Sequence, residues 1–392
     1  MKTYDSIVVG GGLAGSAIAY ELAQIGQSVL LLEQDIAPKN ATRYSYGGIG
    51  YWAASTPLLQ EICRESIGIH RQLSTELGAD TQFRELDIVL TIDPDRDPDT
   101  IAANYANCLI PPRLIDRDTA AEIEPLIDRD AIAAALQVKH AHVSPIAIVA
   151  AYQQAMRRLG GAIEYAQVVG LTQTGDAVTG VKTADATYSA AQVIVAAGAA
   201  SRQLVRSIAP VRVYFTIAEL IETPPLDLEM RAIVMPAEQK RFPMEAQAGR
   251  AADETWDHAG QEVTAPILDV GVVQMRDRSL RLGQISRTLT DLKAAGDAAQ
   301  SEATLRSEIA RVLPALKAVP GQWCACPVAF SGDGLPIVGA VPGAENLHVF
   351  SGFSNPFALL PPVARRFARQ ASNDRVLTQL SPDRFDPAML KQ

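Results

Sequence analysis

Ser6-Ile7-Val8-Val9-Gly10-Gly11-Gly12-Leu13-Ala14-Gly15, followed further on by Ser28-Val29-Leu30-Leu31-Leu32-Glu33, decides the fold. The run from Ser6 to Val9 is apolar and ends in glycine, the pattern of a buried parallel strand. From Leu13 to Ile25 small and apolar residues recur at helical spacing, and Gly26 supplies a stop. Ser28 to Leu32 is a second apolar run, closed by Glu33. Strand, helix and strand thus follow one another, with Gly10, Gly12 and Gly15 spaced as G-x-G-x-x-G at the first join. The first glycine makes the tight turn, the second lets backbone N–H groups reach a pyrophosphate, and the third lets the helix pack closely on the strand. Leu13 and Ala14 open the helix, whose N-terminus faces the phosphates. Glu33 ends the second strand, where a carboxylate accepts both hydrogen bonds of a ribose diol. No arginine beside it would receive a 2′-phosphate, so an unphosphorylated dinucleotide is expected. The fingerprint alone does not separate FAD from NAD.

Beyond this unit, Pro57–Leu77 reads as helix, Phe83–Ile92 as strand, Pro145–Leu159 as helix and Ala162–Val169 as strand. Val178–Thr183 and Tyr188 suggest a hairpin before a further buried strand, Gln192–Gly198. Strands and loops punctuated by proline fill Val211–Gly283, and 238–262 is polar and irregular, the look of a surface excursion or lid. Ser301–Val312 and Leu360–Gln370 read as helices. An α/β fold follows, a nucleotide domain interrupted twice by pieces of a sheet-rich domain.

At 392 residues the chain is long enough for two joined domains. Its formal charge of −9 weighs against nucleic acid or an anionic membrane as the main partner. No apolar run is long enough for a transmembrane helix, and the start lacks a secretory pattern. Four cysteines are too few for a disulfide framework, which makes a reducing cytoplasm the expected compartment. The histidines show no metal-ligand spacing beyond His140-Ala141-His142, which reads as a turn before a helix, so no metal site is expected.

Three distant segments narrow the reading: VIVAAGAAS (Val193–Ser201), DGLPIVG (Asp333–Gly339) and NLHVFSGF (Asn346–Phe353), the last followed by a helix. In this order behind the N-terminal fingerprint, they resemble the D-amino acid oxidase, glycine oxidase and sarcosine oxidase family of FAD enzymes. The resemblance implies a Rossmann-type FAD-binding domain (1–80, 140–210 and 320–392) and an antiparallel-sheet substrate domain (81–139 and 211–319), with the flavin ring between them. It implies that Val168 contacts the adenine through its backbone, that Ala197 and Gly198 line the pyrophosphate, and that Ser45, Gly47 and Gly48 run beside the flavin. Asp333 joins the implied cofactor contacts. Gly352, Phe353, Ser354 and Asn355 would lie at a helix N-terminus by the flavin's pyrimidine edge, where N–H groups stabilise the charge of the reduced ring.

Cys326 stands where one branch of that family attaches its flavin covalently. A small buried cysteine is the alternative, and Cys324 shares its strand face. The arginine that amino-acid-oxidising relatives place before the DGLP turn is missing from Cys326-Pro327-Val328-Ala329-Phe330. A substrate acid would then be held elsewhere, by Arg241 or Arg212, or the substrate is a larger, more apolar amine. Arg281 stands where the resemblance implies a cation that helps oxygen accept an electron; a solvated strand arginine is the alternative. Tyr46, Tyr51, Trp52, Tyr214 and Phe353 are candidate aromatic walls, or core. The implied activity is oxidation of a C–N bond of an amine or amino acid by hydride transfer to flavin N5, with Arg281, Tyr214 and Tyr51 at the reacting face. There is no second G-x-G-x-x-G for a nicotinamide, so electrons would pass from a small organic substrate to oxygen or another acceptor. A 2-hydroxy acid or a partner protein as substrate, and a non-catalytic flavoprotein subunit, are the alternatives. An NAD-dependent dehydrogenase does not account for the C-terminal segments.

Overall fold

The computed structural model describes residues 3–369 and 374–385, and two sheets organise them. In the first, Thr3–Val9 lies between Val29–Glu33 and Thr187–Val195, all parallel. Ala162–Tyr165 extends the parallel set on one side and Leu347–Ser351 on the other, where Ile337–Ala340 closes the edge antiparallel. Ile7–Val9, Val29–Leu32 and Val193–Val195 read as unbroken apolar runs because both faces are covered there. Val8, Leu31 and Ile194 pack under the helices Leu13–Gln24, Pro145–Arg158 and Pro356–Arg369. Ile7, Leu30 and Val193 face the antiparallel pair Val168–Thr174 and Ala177–Thr183. Leu30 and Leu31 are fully buried, and truncating either to alanine costs about 2–5 kcal/mol.

The second sheet runs in the order Gln322–Ser331, Val213–Glu222, Leu280–Arg287, Ile267–Gln274, Ala232–Pro236, Arg84–Ile92, Ala134–His142 and Gly48–Ile49. Its strands pair antiparallel except Ala232–Pro236 on Arg84–Ile92. Alternation along Val213–Glu222 turns Ile221 toward the helix Ala298–Val312, through Leu305 and Ile309, and leaves Ala218 and Leu220 on the opposite face, where the cavity described below lies.

Several boundaries differ from the sequence reading, each for a physical reason. Ala162–Val169 is two strands: Ala166 N bonds the Glu33 carbonyl at 2.8 Å, the chain leaves the parallel sheet, and Val168 starts an antiparallel pairing with Thr183. Tyr188 and Gln192 share one strand, which pairs first with the hairpin and then with Leu347–Val349 along the same edge. The segment 238–262 is not irregular throughout, and Glu238, Gln239, Arg241 and Phe242 line the cavity described below. The segment carries the helices Arg241–Ala248 and Asp253–Asp257, anchored by Trp256 with its ring 4.8 Å from Tyr214 and 6.0 Å from Phe330. His140-Ala141-His142 is a strand end paired with Leu86, Glu85 and Arg84, not a turn.

The C-terminal helix begins at Pro356 rather than Leu360, and runs through Pro361 and Pro362. Each proline lacks the amide that the carbonyl four residues earlier would accept from. Those carbonyls find donors on the helix Pro57–Leu77 instead. Phe357 O receives His70 Nε2 at 2.7 Å and Ser66 Oγ at 3.4 Å, and Ala358 O receives Cys63 Sγ at 3.9 Å.

Candidate active site

The glycine turn is built as its spacing requires. Gly10 has φ +105°, a region that favours glycine, and a Cβ on Gly15 would fall on the Gly10 carbonyl oxygen. Gly11 N donates to Glu33 Oε2 at 2.6 Å, and Leu13 N donates to Thr42 Oγ1 at 3.1 Å. Gly12 caps the helix without a side chain, which leaves the other N-terminal amides open.

A cavity of about 670 Å³ opens from this point. Leu13, Ala14, Thr42, Ser45, Tyr46, Gly198 and Gly352 to Asn355 line it toward the first sheet, and Gly48 and Cys326 line it from the two end strands of the second. Trp52, Ile88, Tyr105, His140, Ile233 and Met235 close it from the second. The residues present fit a flavin dinucleotide: open helix amides suit the phosphates, Glu33 stands buried beside the turn, and Gly352, at φ +76°, leads into a second helix N-terminus.

Two charged side chains, Glu238 and Arg241, are in the lining. Arg96 Nε holds Glu238 at 2.6 Å. Arg241 Nη2 donates to Ser354 O at 3.1 Å, its guanidinium lies 4.7 Å from the Phe242 ring centre, and Glu245 Oε1 stands 3.7 Å from its Nε. Burial pushes the Glu245 carboxyl up, and the Arg241 charge opposes that rise. The Lys240 and Arg241 amides donate to Asp269 at 2.9 and 3.0 Å and so fix the start of their helix. Opposite, Trp52 Nε1 donates to His140 Nδ1 at 3.0 Å, and burial draws the imidazole down to about 4.

The reacting-face expectations come apart here, because Tyr51, Tyr214 and Arg281 do not line the cavity. Tyr214 is 1% exposed, donates to Asp253 at 2.9 Å and stacks on Trp256, so it is core. Tyr51 is buried while its neighbour Trp52 reaches the cavity. Arg281 is not solvated either. Its Nη1 lies 2.6 Å from Glu222 Oε1, and Arg43 grips the same carboxylate at 2.7 and 3.1 Å. Arg212 pairs with Asp253 at 3.4 Å, outside the lining. Asp333 is spent on its own turn, accepting from Ser331, Leu335 and Arg384. Gly10, Gly12 and Gly15 form the turn that Glu33 closes, Ala197 precedes the short turn Gly198–Ala200, Gly47 adopts φ +71°, and Val168 is buried in the first sheet. Of these only Gly198 lines the cavity.

Cys326 lines the cavity, and burial pushes its thiol up to about 12. Sequence reasoning did not single out His140, Ile88, Ile233 and Met235 as walls, since they come from separate strands. His140 carried a signal: it alternates with Leu136 and Val138 on one strand face. Among the described residues no helix is long and apolar enough to cross a membrane, and no cluster of three or more His, Cys, Asp or Glu is placed to hold a metal ion.

A largely parallel sheet ending in open helix amides, facing a largely antiparallel sheet across a cavity, is the arrangement of a flavoprotein of the oxidoreductase class. Residues 5–370 match the DAO family, described as FAD dependent oxidoreductase, and the chain belongs to that family. Its sequence is 28% identical to glycine oxidase of Bacillus licheniformis over 214 residues, 53% of this chain and 57% of that one. The chain thus spans little more than half the length of that curated relative. Glycine oxidase from Geobacillus kaustophilus has a similar structure, with a TM-score of 0.79 at 19% identity over 97% of this chain and 98% of that one. L-proline dehydrogenase from P. horikoshii is comparable, with a TM-score of 0.78 at 19% identity over 99% of both.

Proposed function

We propose that this chain oxidises the C–N bond of an amine or amino acid, with oxygen or another small acceptor taking up the electrons. The observation that carries this reading is a cavity of about 670 Å³ joining the start of the helix after the glycine turn to an apolar wall on the second sheet. Bound FAD supplies the hydride acceptor, its N5. Leu13, Ala14 and the glycine turn would hold its pyrophosphate with Ala197 and Gly198 nearby, Glu33 its ribose, and the Val168 backbone its adenine. Ser45, Gly47, Gly48 and the amides of Gly352 to Asn355 would lie along the ring.

Arg241 is the one cation among the described lining residues, which makes it the holder of a substrate acid. Ile88, Ile101, Ile233, Met235 and Trp52 exclude water and suit an apolar body larger than a methyl group. We read 1–80, 140–210 and 320–392 as the FAD-binding part and 81–139 and 211–319 as the substrate part, although Gly48–Ile49, His140–His142 and Gln322–Ser331 of the former pair into the second sheet. Four free thiols suit a reducing cytoplasm.

The test is anaerobic mixing of the FAD-loaded protein with a panel of amines, amino acids and 2-hydroxy acids. Amines or amino acids should bleach the flavin band near roughly 450 nm. Bleaching by hydroxy acids alone would overturn the C–N reading.

A further inference from the structure

His140 is a lining residue whose chemistry is fixed and so far unused. Because Trp52 Nε1 donates to its Nδ1 at 3.0 Å, that nitrogen is the acceptor and the proton of the neutral ring sits on Nε2. The side chain is 6% exposed, and among the described residues nothing accepts from Nε2. Two glycines keep the space beside it clear. A Cβ on Gly48 would stand 2.8 Å from Nε2, and one on Gly50 would stand 3.3 Å from Asn355 Nδ2 and 3.9 Å from the imidazole Cε1.

A proton-accepting role is excluded by this arrangement, since Nδ1 is occupied and Nε2 already carries its proton. Burial likewise disfavours an imidazolium. What is left is a neutral N–H donor in a wall otherwise made by Ile88, Ile233, Met235 and Trp52.

We propose that His140 determines specificity by donating from Nε2 to an uncharged oxygen of the substrate (ether, carbonyl or hydroxyl), with Trp52 as the residue that positions it. That the ligand is a substrate amine rests on the C–N oxidation reading; the donor role does not. A ligand presenting a methylene at this point leaves a buried N–H unpaired, and a site built around such a donor rejects the analogue that lacks the acceptor.

Butyrate and methoxyacetate test this directly. They share a shape and a carboxylate, and differ by one methylene replaced by an ether oxygen. Each is titrated into the FAD-loaded protein, and binding is read as a perturbation of the flavin spectrum. The wild type favours methoxyacetate about tenfold or more. His140→Leu reverses the preference toward butyrate, because the ether oxygen then loses its water without gaining a donor. His140→Gln keeps an N–H group and retains the preference, and Trp52→Phe narrows it by releasing the tautomer. Should His140→Leu fail to hold FAD, His140→Met makes the same comparison. Equal affinities in the wild type, no perturbation by either acid, or an unchanged ratio in the apolar variants would overturn the proposal. Anaerobic reduction by norvaline and O-methylserine gives the redox counterpart, with the same expected ratio. If neither amino acid nor any other amine bleaches the flavin while the acids still discriminate through His140, the C–N reading has failed and the donor role stands.

Discussion

His70 Nε2 donates to the Phe357 carbonyl at 2.7 Å, in place of the amide that Pro361 lacks. The bond ties the helix Pro57–Leu77 to the helix Pro356–Arg369, whose first residues form part of the cavity wall. Burial draws His70 down to about 4, from 6.5 for the free side chain. Between those values the unfolded chain binds a proton that the folded chain refuses. The stability this group contributes is therefore complete above pH 6.5 and is lost as pH falls through about 4, by an amount on the order of 3 kcal/mol. His70→Gln keeps a donor for the carbonyl and removes the titration. Its melting temperature should stay near wild type at neutral pH and fall less steeply on acidification. His70→Ala should lose about 1–3 kcal/mol at neutral pH. Equal acid slopes for wild type and His70→Gln in melts across this range would remove His70 as the source.

The same contact shows why part of the fold could be read in advance and part could not. The unit Thr3–Glu33 was legible because everything it needs is local: apolar runs, glycine spacing and a closing carboxylate. The start of the last helix was not legible, because two prolines argue against it locally and the groups that rescue it, His70, Ser66 and Cys63, lie far back in the chain. Tyr214 and Trp52 show the limit for the site. Both are aromatic residues near expected flavin contacts, but Tyr214 is covered by Trp256, whose helix reads as a polar loop because its other residues are hydrophilic. The apolar wall of Ile88, Ile233 and Met235 exists only once separate strands are paired.

Glu33 closes the glycine turn through Gly11 N at 2.6 Å, and a Cβ on Gly11 would stand 2.9 Å from the Glu33 Cβ. Glu33→Ala should weaken FAD binding by roughly tenfold to a hundredfold, the range for losing hydrogen bonds to a charged acceptor. Glu33→Gln, which keeps one acceptor oxygen, should fall between the two. Quenching of flavin fluorescence on titrating apoprotein with FAD measures this. An unchanged affinity in Glu33→Ala would take the carboxylate out of the cofactor site.

Cys326 faces the cavity as a buried thiol pushed up to about 12, with burial the main cause and neighbouring Cys324 adding to it. A thiolate is the nucleophilic form of cysteine, and nothing here favours it. Acid precipitation of the yellow protein should accordingly release the flavin to the supernatant. Colour kept in the pellet, and lost from it in Cys326→Ser, would instead establish a thioether at this position.

Arg241 and Tyr214 should respond to substitution in opposite ways. Arg241 lines the cavity, and its side-chain hydrogen bond to Ser354 O, with the more distant Glu245 and the Phe242 ring beside it, leaves other N–H groups of its fork available to a substrate acid. Arg241→Ala should raise KM for an amino acid by about tenfold to a hundredfold, since an ion-paired hydrogen bond is lost in the ground state and the transition state alike. For an amine without a carboxylate KM should hardly change. Tyr214→Phe removes a buried hydroxyl bonded to Asp253 at a residue outside the lining, so it should lower the melting temperature and leave KM and kcat near wild type. A fall in kcat for Tyr214→Phe at full FAD content would return that residue to the reacting face. Equal effects of Arg241→Ala on the two substrate kinds would mean the acid is held elsewhere.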